Sequence, residues 1–230
     1  MSLGVVLPAL NVADSLPATF AALQEGGEAF ATDIVVADGG SSDGTSEVAR
    51  RAGARVIDAP RGRGIQLAAG ARAVAGDWLL FLHADTSLEP GWADAVRSFL
   101  AQPEAAGRAA YFRFRLDDDH PGARRIERWV AWRCCRFALP YGDQGLLLAR
   151  SLYDALDGYA PIPLMEDVDL VRRIVRARGR GALVQLEAAA QTSAARYRQG
   201  GYWRRPARNL ACLSLWFAGV SPATIARLYR

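Results

Sequence analysis

The sequence predicts an α/β protein with a mostly parallel central sheet and helices on both faces. Three observations carry that expectation. Asp33 to Asp38 and Asp77 to Leu82 contain short apolar runs with no polar face, as in strands covered on both sides. Each run ends on a loop of small, polar or acidic residues. Helical periodicity fills the intervals, and strand, helix, strand, helix is the order of a parallel sheet with right-handed crossovers.

Taken in order, residues 3–8 (LGVVLP) form a first strand that Pro8 ends, and Asn11 stands in the loop. Asp14 or Ser15 caps a helix whose Leu16, Phe20 and Leu23 share a face, with Gly26 and Gly27 as its stop. The second strand ends on Asp38. Gly39 opens the loop after it, and Ser42, Asp43 and Thr45 offer caps for a helix ending near Gly53. A short third strand, 54–58, leads into an arginine-glycine loop and a helix with Leu67, Ala71 and Val74 on its apolar face. After the fourth strand, Pro90 and Gly91 open a helix to about Leu100. Residues 109–116 alternate as a half-exposed strand, DDDHPG breaks the chain, and Arg124 to Leu139 reads as a helix with Ile126, Trp129 and Val130 inward.

Residues 141–150 (YGDQGLLLAR) set Asp143 and Gln144 before another apolar strand, and Pro163 precedes a helix whose first turn holds Glu166, Asp167 and Asp169. Acidic residues there also suit the helix dipole. The segment from Thr192 interleaves five arginines with Tyr197, Tyr202 and Trp203, and an apolar run of 11 residues, Leu210 to Val220, follows. That run is shorter than the roughly 20 residues a membrane span needs, so packing is favoured over lying in a membrane surface.

Composition narrows the chemistry. The chain has 230 residues, 51% apolar and 23% charged, with mean hydropathy +0.01 and no repeat or linker, which fits one globular domain with a short extension. Its start lacks a signal-peptide pattern, so a cytoplasmic location is expected. Cys134 and Cys135 are neighbours and Cys212 is distant, which gives neither a disulfide framework nor a zinc spacing. His83 and His120 are the two histidines, too few for a histidine-based zinc site. All 28 basic side chains are arginine, which excludes a Schiff-base lysine and a P-loop lysine but keeps bidentate phosphate binding. The pI near 9.2 points to anionic partners without selecting one.

Within this frame, strand-terminal Asp38 and Asp85 face the crevice where open α/β sheets bind ligands. Arg63 and the helix N-terminus beside it suit a phosphate. LPALN, VVADGGSSDGT, FLHADT, YGDQG and MEDVDLVRR, in this order, resemble the family 2 glycosyltransferases, closest to a short bacterial branch with the FLHADT and YGDQG forms. The resemblance covers essentially the whole chain. It implies the Rossmann-like GT-A fold, with a glycosyltransferase domain over 1–190 and a C-terminal helical extension over 191–230 packed on it. Residues up to about 100 would form the nucleotide-binding half and 101–190 the acceptor half.

The resemblance also implies the site. Pro8, Asn11, Asp38 and Gly39 would hold base and ribose, and Asp85 of His83-Ala84-Asp85 would bind Mn2+ or Mg2+ bridging the diphosphate. His83 stands where the family usually has an aspartate. Arg63, Gln66, Asp143, Gln144 and Arg196 would complete the donor site, while Ala68 and Ala195 replace a common asparagine and arginine. Asp167 would be the general base with Glu166 beside it. The expected reaction is inverting, metal-dependent transfer from a UDP- or GDP-sugar to an acceptor hydroxyl on a small molecule or lipid. No nucleic-acid partner is expected; a peripheral membrane contact through the C-terminal segment is an option. The rivals are a nucleotidyltransferase making sugar nucleotides, for which LPALNVADS lacks a glycine-rich basic loop, and a non-catalytic binder of nucleic acid or anionic lipid.

Overall fold

The computed structural model describes residues 1–26 and 29–229, except the side chains at 31, 196 and 199. Gly27 lies outside the described residues, as does the Arg196 side chain. The chain runs β1 (Ser2–Ala9), α1 (Leu16–Glu25), β2 (Ala31–Asp38), α2 (Thr45–Arg51), β3 (Arg55–Asp58), α3 (Arg63–Ala73), β4 (Trp78–Phe81), β5 (Thr86–Leu88) and α4 (Trp92–Leu100). It continues through β6 (Ala109–Leu116), α5 (Pro121–Phe137), β7 (Leu146–Ala149), α6 (Arg150–Ala155), α7 (Glu166–Arg178), β8 (Leu183–Thr192), α8 (Ala195–Gly200), α9 (Arg204–Phe217) and α10 (Pro222–Tyr229). The α/β fold with a mostly parallel central sheet is as the sequence predicts.

One sheet holds these strands in the order β3-β2-β1-β4-β7-β6-β8-β5. Its register explains why one edge collects the motifs. β1 to β4 are mutually parallel, so β1, β2 and β4 all end at that edge. β7 runs antiparallel to β4 with Leu146 opposite Phe81, which puts the segment entering β7 beside the segment leaving β4. β6 is antiparallel to β7 and parallel to β8, bringing Thr192 to the same edge, and β5 starts there opposite it.

Burial follows the pattern. All of β4 is buried, as are the flanking runs of β1 and β7, and α1 contributes Leu16, Phe20 and Leu23 to the same core. A second apolar cluster lies across β6, where Tyr111, Phe114 and Leu116 pack on Ile126, Val130 and Cys134 of α5.

Several expectations are corrected. Pro8 does not end β1: it pairs with Ala37, beyond the last β1–β4 pair at Val6, where the missing N–H costs no bond to β4. β6 is buried on both faces over its first half because α5 covers one side. α5 begins earlier, at Pro121, with His120 Nδ1 accepting from the Gly122 N–H at 3.0 Å. Trp129 points outward, 55% exposed, since Ile126 and Val130 already fill the inner stripe.

A buried hydroxyl fixes the turn after β4. Thr19 of α1 donates to Ala84 O at 3.0 Å, and the Thr86 N–H closes the turn on His83 O at 3.1 Å. Thr19→Val keeps the shape and removes the donor, so a loss of about 1–2 kcal/mol is expected. Urea unfolding checks it: the midpoint should fall at unchanged slope, and an unchanged midpoint would remove Thr19 as the anchor of the turn.

Candidate active site

A crevice open to solvent lies at this edge. β4 delivers His83 and Asp85, the N-terminus of α3 delivers Arg63, the loop before β7 delivers Tyr141 and Asp143, and the first turn of α7 delivers Glu166 and Asp167. Tyr197 of α8, Arg205, Asn209 and Cys212 of α9 and Tyr229 of α10 line it from the C-terminal segment.

Local backbone explains the placement. Met165 takes φ +67°, a left-handed conformation uncommon outside glycine, and starts α7 so that Glu166 turns inward at 1% exposure. Asp167 Oδ2 accepts from the Gly142 N–H at 2.7 Å, and Oδ1 from the Val168 N–H at 2.7 Å. Gly142 leaves His83 room to approach: a Cβ there would stand 2.7 Å from His83 Nε2.

The charges are unevenly compensated. Glu166 is buried and meets Arg63 at 3.5 Å as an ion pair, and among the described residues neither of its oxygens has a hydrogen-bond partner of good geometry. Burial pushes its carboxyl up to about 7, with Arg63 opposing and Asp167 adding to the shift. Burial also pushes Asp143 up to about 6, against Arg133, with Asp167, and to a lesser extent Asp85, adding to the shift. Asp143 Oδ1 is buried without a hydrogen-bond partner among the described residues.

Arg63, His83, Asp85, Asp143, Glu166 and Asp167 thus meet in one crevice, as the sequence suggests. Others do not. Gln66 is buried and donates to Ala9 O at 2.7 Å and Ala37 O at 2.9 Å, pinning the ends of β1 and β2. Gln144 is also enclosed: Oε1 accepts from Arg133 at 3.1 Å and Nε2 donates to Phe112 O at 3.2 Å. Both amides are spent inside the protein because backbone carbonyls left open, at the ends of β1 and β2 and at the register shift in β6, need donors.

Asp38 does not open onto the crevice either. Its Oδ1 accepts from Ser41 N at 3.0 Å and Oγ at 2.6 Å, and its Oδ2 from Ser46 Oγ at 2.6 Å. Burial raises its carboxyl, but these bonds win and leave it below the usual range. Asn11, at φ +53°, accepts from Ser42 N at 2.9 Å, lacing its loop to the Gly39–Ser42 loop; Gly39 opens that second loop, and Pro8 stands in the last pairs of β1 just before the first. Of the lining residues the sequence reading missed, Arg205, Asn209, Cys212 and Tyr229 had one available signal, the arginine-aromatic composition of the last forty residues, and Tyr141 had its place in YGDQG.

Comparison with known proteins agrees with this architecture. Residues 4–160 match glycosyl transferase family 2, and the chain belongs to that family. Curated relatives from Mycobacterium bovis and Mycobacterium tuberculosis, each described as an uncharacterized glycosyltransferase, are 41% identical over 88 residues. That stretch spans 38% of this chain and 38% of each relative.

Among solved structures, glucosyl-3-phosphoglycerate synthase from Mycobacterium tuberculosis, in complex with Mn2+, UDP-glucose and phosphoglyceric acid, superposes with a TM-score of 0.66 at 20% identity, over 95% of this chain and 80% of that one. Mannosyl-3-phosphoglycerate synthase from Rubrobacter xylanophilus gives 0.65 at 20%, over 96% and 76%. At that identity the likeness is one of fold.

Glu166 also makes a pH prediction. Above its ordinary value of 4.5 the unfolded chain has released a proton that folded Glu166 keeps to about 7, so this group's contribution to stability falls as pH rises through that window. Glu166→Gln removes that slope, and the difference in urea midpoint, variant minus wild type, should grow from the acid to the neutral end. A constant difference would contradict it.

Proposed function

We propose that this protein is an inverting, divalent-metal-dependent glycosyltransferase moving a sugar from a nucleotide diphosphate sugar to an acceptor hydroxyl. One observation carries the reading: Asp85 at the end of β4 and Asp167 in the first turn of α7 line the same crevice from different elements, with Arg63 also on its wall. Departure of a nucleoside diphosphate needs positive charge at one place, and the acceptor hydroxyl needs a carboxylate at another. Attack from the face opposite the leaving group inverts the anomeric carbon.

The donor set fits Mn2+ or Mg2+. Among the described residues no group of three or more His, Cys, Asp or Glu side chains forms a metal cage. Such a cation bound with phosphate oxygens uses only one or two carboxylates, and Asp85, with Asp143 and its unpartnered buried oxygen nearby, matches that need. When bound, the ion supplies Lewis-acid stabilisation of the leaving diphosphate.

The chain's own residues do the rest. Arg63 and the N–H groups opening α3 face the diphosphate, with Arg196 as a further contact. Asp167, held by the Gly142 and Val168 N–H groups, accepts the acceptor's proton as the bond forms. Glu166 stays behind it and fixes Arg63. The ends of β1 and β2, with Pro8 and Asp38, and the loops that follow them, with Asn11 and Gly39, shape the nucleotide end.

In this reading residues up to about 100 serve the donor, 101–190 the acceptor, and 191–230 close the crevice as an extension packed on the same domain. The solved glucosyl-3-phosphoglycerate synthase carries UDP-glucose and phosphoglyceric acid. A UDP- or GDP-sugar donor and a small-molecule or lipid acceptor fit here, at the cytoplasmic side of the cell. A peripheral membrane contact would use the exposed Leu210, Phe217 and Leu228 of the C-terminal segment.

Two expected outcomes follow. Asp85→Ala abolishes the manganese-dependent thermal shift given by UDP or GDP, while a shift equal to wild type would remove Asp85 from the metal site. Asp167→Asn keeps that shift and lowers transfer about 10²- to 10⁴-fold, measured with radiolabelled donor. Full transfer by the variant would reject Asp167 as the base.

A further inference from the structure

The outer face of α5 presents an unusual stripe. Arg125, Arg128, Trp129, Trp132 and Arg136 recur at helical spacing, and Phe137 extends the row. Trp129, Trp132 and Phe137 are 55%, 52% and 49% exposed, yet they touch: ring centroids lie 5.4 Å apart between the tryptophans and 5.3 Å between Trp132 and Phe137. Arg125 lies 3.7 Å over the ring of Trp203, which is 70% exposed. Burial of the inner stripe leaves these rings no place in the core.

The geometry points to this face as a docking surface for an anionic lipid bilayer. Charge complementarity selects that occupant. Of the five arginines of this 17-residue helix, Arg125, Arg128 and Arg136 belong to the stripe, while Arg124 pairs with Glu127 and Asp119 and Arg133 turns to Gln144; its one acid, Glu127, turns inward to the Leu116 N–H and Arg124. From neighbouring elements, Arg180 adds a cation at the helix C-terminus by donating to Cys135 O, and Asp118 and Asp119 stand beyond the N-terminal end, engaged by Arg198 and Arg124.

Tryptophan rings with a polar edge, flanked by arginines that keep their charge in water, match the headgroup boundary of a membrane. A second copy of the chain would set arginine against arginine. A single nucleic-acid strand is tracked by a charged groove in which bases stack on aromatic rings, and the groove beside this helix, lined by Arg113, Arg115, Arg124 and Arg128, holds none of Trp129, Trp132 or Trp203. The surface is separate from the crevice, so the inference stands without the transferase reading.

Flotation of the full chain with phosphatidylcholine vesicles, with and without phosphatidylglycerol, tests it. Binding is expected to the anionic vesicles only. It should fall about fivefold per arginine, hence about 25-fold in Arg128→Gln/Arg136→Gln, and at least about tenfold in Trp129→Ser/Trp132→Ser, with unchanged circular dichroism. Brominated lipid should quench wild-type tryptophan fluorescence. In a Trp129→Phe/Trp132→Phe/Trp203→Phe variant that still floats, the quenching should vanish.

Persistent quenching there would place insertion at Trp216 on α9 and overturn the proposal. So would absence of flotation, equal binding to neutral vesicles, or loss in the serine variant of a dimer or of single-stranded DNA binding without vesicle binding.

Discussion

The hydrogen bond from the Gly142 N–H to Asp167 Oδ2, 2.7 Å long, is the constraint on which the site depends. It joins the loop entering β7 to the first turn of α7, and the missing side chain of Gly142 lets His83 close against the same point. Three segments far apart in sequence therefore share one junction. Around it the packing leaves little slack: a Cβ on Gly64 would stand 2.4 Å from Ala160 O, so α3 brings Arg63 up to Glu166 only because position 64 is glycine.

That junction concentrates carboxylates. Asp85, Asp143, Glu166 and Asp167 share one crevice, and burial drives two of them toward neutrality. Left among themselves, such groups oppose folding. In the proposed reaction their charge is used: a divalent ion with a diphosphate is a partner whose charges suit an acidic pocket edged by arginine.

Much of this was legible in the sequence because it follows from where strands end. An apolar run closing on His83-Ala84-Asp85, and a turn of Asp143 before Leu146, place their side chains at a sheet edge whatever covers them. Gln66, Gln144 and Asp38 were not legible in that way. Their partners are strand-end carbonyls, a neighbouring arginine and the serines of one loop, and only the folded register decides whether a polar side chain faces ligand or backbone. The outward turn of Trp129 has the same origin, since helical spacing gives a face but not which residue the opposing strand fills.

The C-terminal segment completes the crevice. α9 turns Cys212 inward, packs Leu213 and Trp216 on the main core, and sends Arg205 and Asn209 to the crevice wall, so its apolar run is divided between core and solvent. The most direct test of the metal-and-diphosphate site is a crystal soaked with UDP and manganese, measured for anomalous scattering at the manganese edge. A single strong peak beside the Asp85 carboxylate, bridging to the diphosphate with Asp167 across the pocket, is predicted; a bound nucleotide with no peak there would contradict it.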